Sequence, residues 1–429
     1  MAKSSRKTIV RLTLALFLVL GLGTSAQEIR RAIPVNPPVA RTPAPPIAPP
    51  APTPVPGVAP NVPSVVAPIN DTASFLAGLP VSADSPLAGL AQDPAWKRHA
   101  SFFDQAWAKL DANRLAGIRN WGANYLPDAS QSIPTVFYMF AGPDFLYAHQ
   151  FFPNARTYIL AGTEPIGPLP DVLRFAGPAL SPVLENLEKS LNSVLSFSFF
   201  ITKDMKTDLQ HEELKGTLPI FYIFLARAGK TITNVDFVTL DKDGQPHSAT
   251  ANEKGKGLTP GVRITFAGGA DAQPQTLYYF TTNLADEGIR SQPGFMKFCA
   301  NQGMGYSLLK SASYLMFENG FDSIRNWLLA HSAVILQDDS GIPVNAFDPA
   351  IWSLRFFGTY IGPIDIFKQH FQPQLQATYQ QIHAAPLEFG IGYRWSSKQS
   401  TFIVATRRGT ELSPLRTEPQ PAGPPGQSQ

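Results

Sequence analysis

Cysteine is almost missing from this 429-residue chain: Cys299 is the only one. A single thiol excludes an internal disulfide framework and a thiolate metal cage, and none follows the first apolar segment to carry a lipid. Charge is scarce as well, at 16% of residues, and it gathers on no basic stretch, so nucleic acid is not an expected partner. The seven histidines (His99, His149, His211, His247, His331, His370 and His383) stand at no metal-ligand spacing, and His211-Glu212-Glu213 lacks the second histidine of a zinc-protease helix. No Gly-x-Ser-x-Gly elbow is present, which argues against a serine hydrolase of that type. No metal and no cofactor are expected from these residues. Stability must come from the core, for which 44% hydrophobic residues and 29 Phe supply ample apolar surface.

What is present begins with an export pattern. Lys3, Arg6, Lys7 and Arg11 precede an apolar core, Leu12–Leu22, and Thr24-Ser25-Ala26 offers the small residues of a cleavage site. Residues 1–26 read as a secretory signal, because the core is shorter than the roughly 17 apolar residues that span a bilayer. Cleavage removes four basic residues and takes the formal charge from +3 to −1. The mature protein is expected to be exported, periplasmic or extracellular, with no further membrane helix. Residues 27–93 read as a Pro/Ala-rich disordered linker: 14 prolines lie between Pro34 and Pro68, and proline fixes φ while removing the amide donor. Such an arm is a spacer, a leftover of export, or a ligand for a cell-wall or proline-recognising partner.

From Pro94 to residue 408 the pattern predicts one α/β domain, followed by a disordered tail, 409–429. Trp96, Phe102, Phe103, Trp107 and Leu110 recur at helical steps, and Leu115, Ile118 and Trp121 mark a second helix. Thr135–Phe140 and Thr157–Ala161 are apolar on successive residues, the pattern of strands covered on both faces, and the stretch between them is about as long as a parallel crossover. Helix is expected over 171–191, strand over 194–201, polar helix over 203–214 and buried strand over 218–225. Residues 231–282 read as an inserted antiparallel meander. Further on, the spacing predicts helices over 293–301 and 321–332, strands over 333–337 and 352–360, a bent helix over 364–381, and a closing hairpin of 387–395 with 401–407. The expected architecture is therefore a Rossmann-like, mainly parallel sheet flanked by helices.

In such a sheet, ligands gather beyond the carboxyl ends of the strands. Asp144, Glu164, Lys203 with Asp204, and Asp338 with Asp339 stand at four expected ends. Gly142-Pro143-Asp144 after the first strand, with Glu164 after the second, resembles the opening unit of a dinucleotide-binding or methyltransferase-like domain, in which the acid takes ribose hydroxyls. This implies a ligand-binding role for Gly142, Asp144 and Glu164. The pattern departs from the fingerprint in having one glycine of three, a proline without an amide, and an acid that repels phosphate. Ser307-Leu308-Leu309-Lys310 matches the serine–lysine pattern of penicillin-binding enzymes, without its partner motifs. Asp338-Asp339-Ser340-Gly341 suits a divalent cation, an acid–base pair or a plain turn, with His331 the nearest histidine in sequence.

Three readings follow. The chain is an exported cell-envelope protein that binds a small polar ligand at the carboxyl edge of the sheet. Alternatively it is a hydrolase with Asp144, Glu164, Asp338 and Asp339 as candidate catalytic carboxylates. In the third it is a catalytically dead relative of a nucleotide-dependent fold. All three require the first two strands to run parallel and side by side.

Overall fold

The computed structural model describes residues 67–126, 135–200, 214–251, 253, 255–268 and 272–409. The chain divides into two units, Met1–Val62 and Pro63–Gln429, and every described residue belongs to the second. The expected export signal, nearly all of the proline tract, the polar helix expected over 203–214 (all but Leu214) and the tail from 410 lie outside the described residues. Among the described residues no helix is long and apolar enough to cross a membrane.

The fold is α/β, built on one ten-stranded mixed sheet flanked by helices. Its strands are β1 (Thr135–Tyr138), β2 (Thr157–Gly162), β3 (Thr231–Leu240), β4 (Pro246–Ser248), β5 (Thr259–Ala267), β6 (Gln275–Thr281), β7 (Gly305–Leu309), β8 (Ser332–Gln337), β9 (Trp352–Gly358) and β10 (Thr401–Arg407), in the order β4-β3-β5-β6-β2-β1-β7-β8-β10-β9. The five central strands, β6-β2-β1-β7-β8, pair parallel throughout. Antiparallel pairs extend both sides. The sheet is thus mixed rather than mainly parallel. The expected meander supplies β3 to β6 and extends the main sheet through the β6–β2 pair.

The two strands on which every site reading depends are neighbours and parallel, with Val136 opposite Tyr158 and Tyr138 opposite Leu160. Their unbroken apolar runs have a direct cause. Val136, Tyr138, Tyr158 and Leu160 face one core, whereas Phe137, Met139, Ile159 and Ala161 face the other. Side chains alternate across a strand, so a strand covered on both faces is apolar at every position.

The first face is covered by α1 (Ile69–Leu76), α2 (Pro94–Leu110), α3 (Ala116–Tyr125), α4 (Phe145–Phe151), α5 (Leu180–Phe197) and α6 (Leu218–Arg227). The second is covered by α8 (Gly294–Ala300) and α9 (Asp322–His331), with α7 (Asp286–Ser291) beside them; α10 (Pro373–Gln381) packs on the β9–β10 edge. The α2 helix starts where its sequence says: Asp93 accepts the Ala95 amide at 2.7 Å and Pro94 opens the first turn.

Four expectations are corrected. Residues 69–76, assigned to the linker, form α1, whose Phe75 and Leu76 are buried in the core, so the folded unit starts before Pro94. In place of the strand expected over 194–201, residues 194–197 are the last turn of α5, which Ser198 ends in a left-handed conformation, φ 82°. The apolar run Leu218–Leu225 is helix α6 and not a strand. All eight residues are buried, and a helix enclosed on every side loses the periodicity that would reveal it. Residues 387–395 form no strand with β10, which pairs instead with β8 and β9.

Phe221 of the buried α6 packs on the sheet with its ring 5.4 Å from that of Tyr279. Replacing Phe221 by Ala is expected to cost about 3–5 kcal/mol, read as a lower urea midpoint with an unchanged slope.

Candidate functional site

The carboxyl ends of β1, β2, β7 and β8 deliver four acids and one lysine to a single edge, and all are closed from solvent: Asp144 is 2% exposed, Glu164 4%, Lys310 3%, Asp338 1% and Asp339 5%. Burial at this level forces each charge to find a partner, and the partners are other protein groups.

Lys310 leaves the end of β7 and places its ammonium 2.8 Å from Asp144 Oδ2. A second hydrogen goes to the carbonyl oxygen of Ser198, which the left-handed turn at the end of α5 carries there. The ammonium also sits 4.2 Å from the centre of the Tyr147 ring. Asp144 accepts the Tyr138 hydroxyl at 2.8 Å and caps α4 through the Tyr147 amide at 3.3 Å. Arg114, in the π-turn joining α2 to α3, completes the group by donating to the Tyr147 hydroxyl at 3.0 Å. Burial lowers the lysine's pKa, against which Asp144 and Asp338 hold its proton.

Asp338 and Asp339 follow β8. Asp338 accepts the amides of Ser311 and Ser340, both at 2.9 Å, and the Ser340 hydroxyl at 2.5 Å. Gly392 crosses above it so closely that a methyl group there would lie 1.9 Å from Oδ2. This explains why 387–395 is no strand: the segment spans the carboxyl edge as a cover. Asp339 turns away and accepts the Tyr314 hydroxyl at 2.6 Å. Burial raises the pKa of both acids; that of Asp339 is pushed up to about 7, the neighbouring Asp338 charge adding to the effect.

Glu164 stands one strand over. Its backbone oxygen accepts the Tyr279 hydroxyl at 2.9 Å and the Thr281 hydroxyl at 2.8 Å, and its carboxylate accepts Tyr279 at 3.2 Å. Gly142, at φ 54°, lies against that carboxylate: a Cβ built there comes within 3.4 Å of it. The glycine after β1 therefore serves a close approach between two protein segments.

Of the expected site residues, Gly142 and Glu164 meet each other, and Asp144 meets Lys310 together with Tyr138. Asp338 joins that group through its field on Lys310, while Asp339 points to Tyr314. Lys203 and Asp204 lie outside the described residues, as does His211. His331 sits at the amino end of β8, on the far edge of the sheet. Ser307 and Lys310 do not form a helical dyad: they lie on and just after a strand, where residues three apart face opposite ways, and the Ser307 hydroxyl pairs with that of Ser332 at 2.8 Å. Among the described residues no group of three His, Cys, Asp or Glu is arranged to hold a metal. The sequence reading missed Arg114 and Ser311. Ser311 follows Lys310 with φ 53°, and its buried hydroxyl has no partner. Comparison with protein-family profiles, curated proteins and solved structures finds no match.

Two outcomes test this arrangement. Lys310→Met strands Asp144 as a buried unpaired charge and is expected to cost about 3–5 kcal/mol, part of which Asp144→Asn restores in the double variant. Simple additivity in chemical denaturation would contradict the pairing. Asp339 is held protonated in the fold above its ordinary value near 3.9. Its stabilising contribution is therefore complete below about pH 4 and is lost as pH rises to about 7. Asp339→Asn is expected to gain on the wild type in melting temperature across that interval.

Proposed function

We propose that the chain is an exported, Rossmann-like protein whose nucleotide crevice is filled by its own side chains, so that it acts in the cell envelope as a catalytically silent binding or structural protein. The strand order supports the fold reading. Numbered among themselves in chain order, the central strands run 3-2-1-4-5, as in a doubly wound domain, and the switch point falls between β1 and β7. At that point a dinucleotide-binding unit opens onto phosphate, and here the Asp144–Lys310 pair stands instead. This pair is the observation that carries the proposal. The α4 amide that would meet an anion is capped by Asp144, and Glu164 is engaged by Tyr279. The export signal at 1–26 and the proline arm over 34–68 support a secreted domain held at a distance from its point of attachment, with the arm open to a cell-wall or proline-recognising partner.

Thermal shift tests this reading. A nucleotide at about 100 times its Kd adds about 2.7 kcal/mol to stability, whereas NAD and S-adenosylmethionine are expected to leave the melting temperature unchanged; a rise with either overturns the proposal. Sequencing of the exported protein is expected to begin at Gln27, and retention of Met1 would contradict cleavage. A second reading, distinct from the expected carboxylate hydrolase, is a serine hydrolase, favoured by the unpartnered Ser311 hydroxyl beside Asp338 and the raised Asp339. It requires labelling by a serine-directed fluorophosphonate that Ser311→Ala abolishes; absence of labelling favours the silent protein.

A further inference from the structure

The cover over the carboxyl edge carries a group of exposed apolar side chains on its outer side. Residues 360–371 follow β9, and Arg394 of the cover holds them by donating to the carbonyl oxygens of Gly362 at 3.2 Å and Pro363 at 2.8 Å. This segment already anchors itself inward, with Tyr360 and Phe367 buried and Ile364 packed against the cluster that contains Phe367. A second apolar set faces out. Ile361 is 45% exposed, Ile366 40% and Phe371 46%. Phe371 lies across Gly362, where a Cβ would come 3.2 Å from its ring, and it stacks on Tyr360 at 5.8 Å. Trp395, the neighbour of Arg394, is 46% exposed, with its ring 4.9 Å from that of Phe197.

Single exposed apolar residues are normal on any surface, whereas a group of them marks a contact. Among the described residues eight large apolar side chains are exposed, and these four stand on two segments that Arg394 ties together. The polar rim decides what they meet. Lys368, in the helical turn Asp365–His370, and Lys398, in the turn after Trp395, are both exposed and make no ion pair among the described residues. Asp365 is the one acid within 360–371, and 393–400 contains none. Glu318 beside them lies 3.3 Å from His370 Nε2. A second copy docking by the same surface would bring lysine against lysine. An anionic bilayer accepts both parts: cations meet its phosphates, each strengthening binding about fivefold, while Trp, Phe and Ile suit the boundary between headgroups and acyl chains.

We propose that this crest docks peripherally on the surface of an anionic lipid bilayer, with Ile361, Ile366, Phe371 and Trp395 entering the headgroup region and Lys368 and Lys398 on lipid phosphates. No spanning helix is needed, and none is present among the described residues. The docking turns the covered carboxyl edge toward the lipid. It does not depend on the crevice being silent, and its failure leaves that reading untouched.

The test is flotation of the mature chain, which lacks the apolar signal core, with vesicles of phosphatidylcholine alone and of phosphatidylcholine mixed with phosphatidylglycerol. The wild type is expected to float with the mixed vesicles, about tenfold less with phosphatidylcholine alone, and less as salt rises. Phe371→Ser with Trp395→Ser is expected to abolish flotation, and Lys368→Gln with Lys398→Gln to weaken it about 25-fold. All four side chains are exposed, so both double variants are expected to melt as the wild type does. Met304→Ser removes an equally exposed apolar side chain at the amino end of β7 and is expected to change nothing. No flotation by folded wild type, equal flotation with both vesicles, undiminished flotation of a folded double variant, or an equal loss in Met304→Ser would each overturn the proposal. So would a dimer that Phe371→Ser with Trp395→Ser abolishes, since the crest would then meet a second copy.

Discussion

The buried Asp144–Lys310 pair is the constraint around which the carboxyl edge of the sheet is arranged. A carboxylate and an ammonium removed from water lose several kcal/mol of solvation each, and their attraction compensates only where further hydrogen bonds complete both groups. Here those bonds come from several elements at the edge: Tyr138 from β1, the first turn of α4 and the carbonyl at the end of α5, with Tyr147 below the ammonium, itself held by Arg114. One ion pair thus requires five segments to keep their positions. A crevice open to ligand would leave the same two charges half-solvated and those segments free to part.

The placing of helices on both faces follows from the same sheet. Strands with apolar residues at every position need helices on both faces, and the chain supplies them in turn, with α1 to α6 covering one face and α8 and α9 the other. Crossovers that go opposite ways from β1 and stay right-handed must use opposite faces, which leaves a gap between β1 and β7 that something has to fill. In this protein Lys310 fills it.

How much of this the sequence discloses depends on whether a feature is local. The parallel pair β1–β2 is legible because Thr135–Tyr138 and Thr157–Gly162 are apolar without alternation and are separated by one short crossover. The polar strand ends at Asp144, Glu164 and Asp338 are legible for the same reason. Leu218–Leu225 misleads, because a helix buried all round and a strand buried on both faces show the same unbroken run. The end of α5 misleads similarly, and only the left-handed Ser198 terminates it. What pairs with what at the edge is not local at all. Lys310 reads as part of a serine–lysine motif until the fold brings Asp144 beside it. The role of Gly392 is invisible until it passes over Asp338. The expected linker runs to residue 93, yet the buried Phe75 and Leu76 of α1 show that this boundary is set too late, since the proline-rich composition already ends at Pro68.

The backbone after β7 indicates how firmly the edge is held. Ser311, Ser313 and Tyr314 all have φ between 53° and 56°, a region that costs an L-residue about 1–3 kcal/mol each. The strain persists because each turn is fixed from outside: Asp338 takes the Ser311 amide, Ser340 the Ala312 amide, Tyr393 the Ser313 hydroxyl and Asp339 the Tyr314 hydroxyl. Two of those anchors are carboxylates whose own burial raises their pKa, so the segment and the acids depend on each other. Loosening either would ionise and hydrate Asp339 and release the strained turns together. The edge is therefore held by contacts within the chain, in which the turns after β7 and the two acids after β8 fix one another.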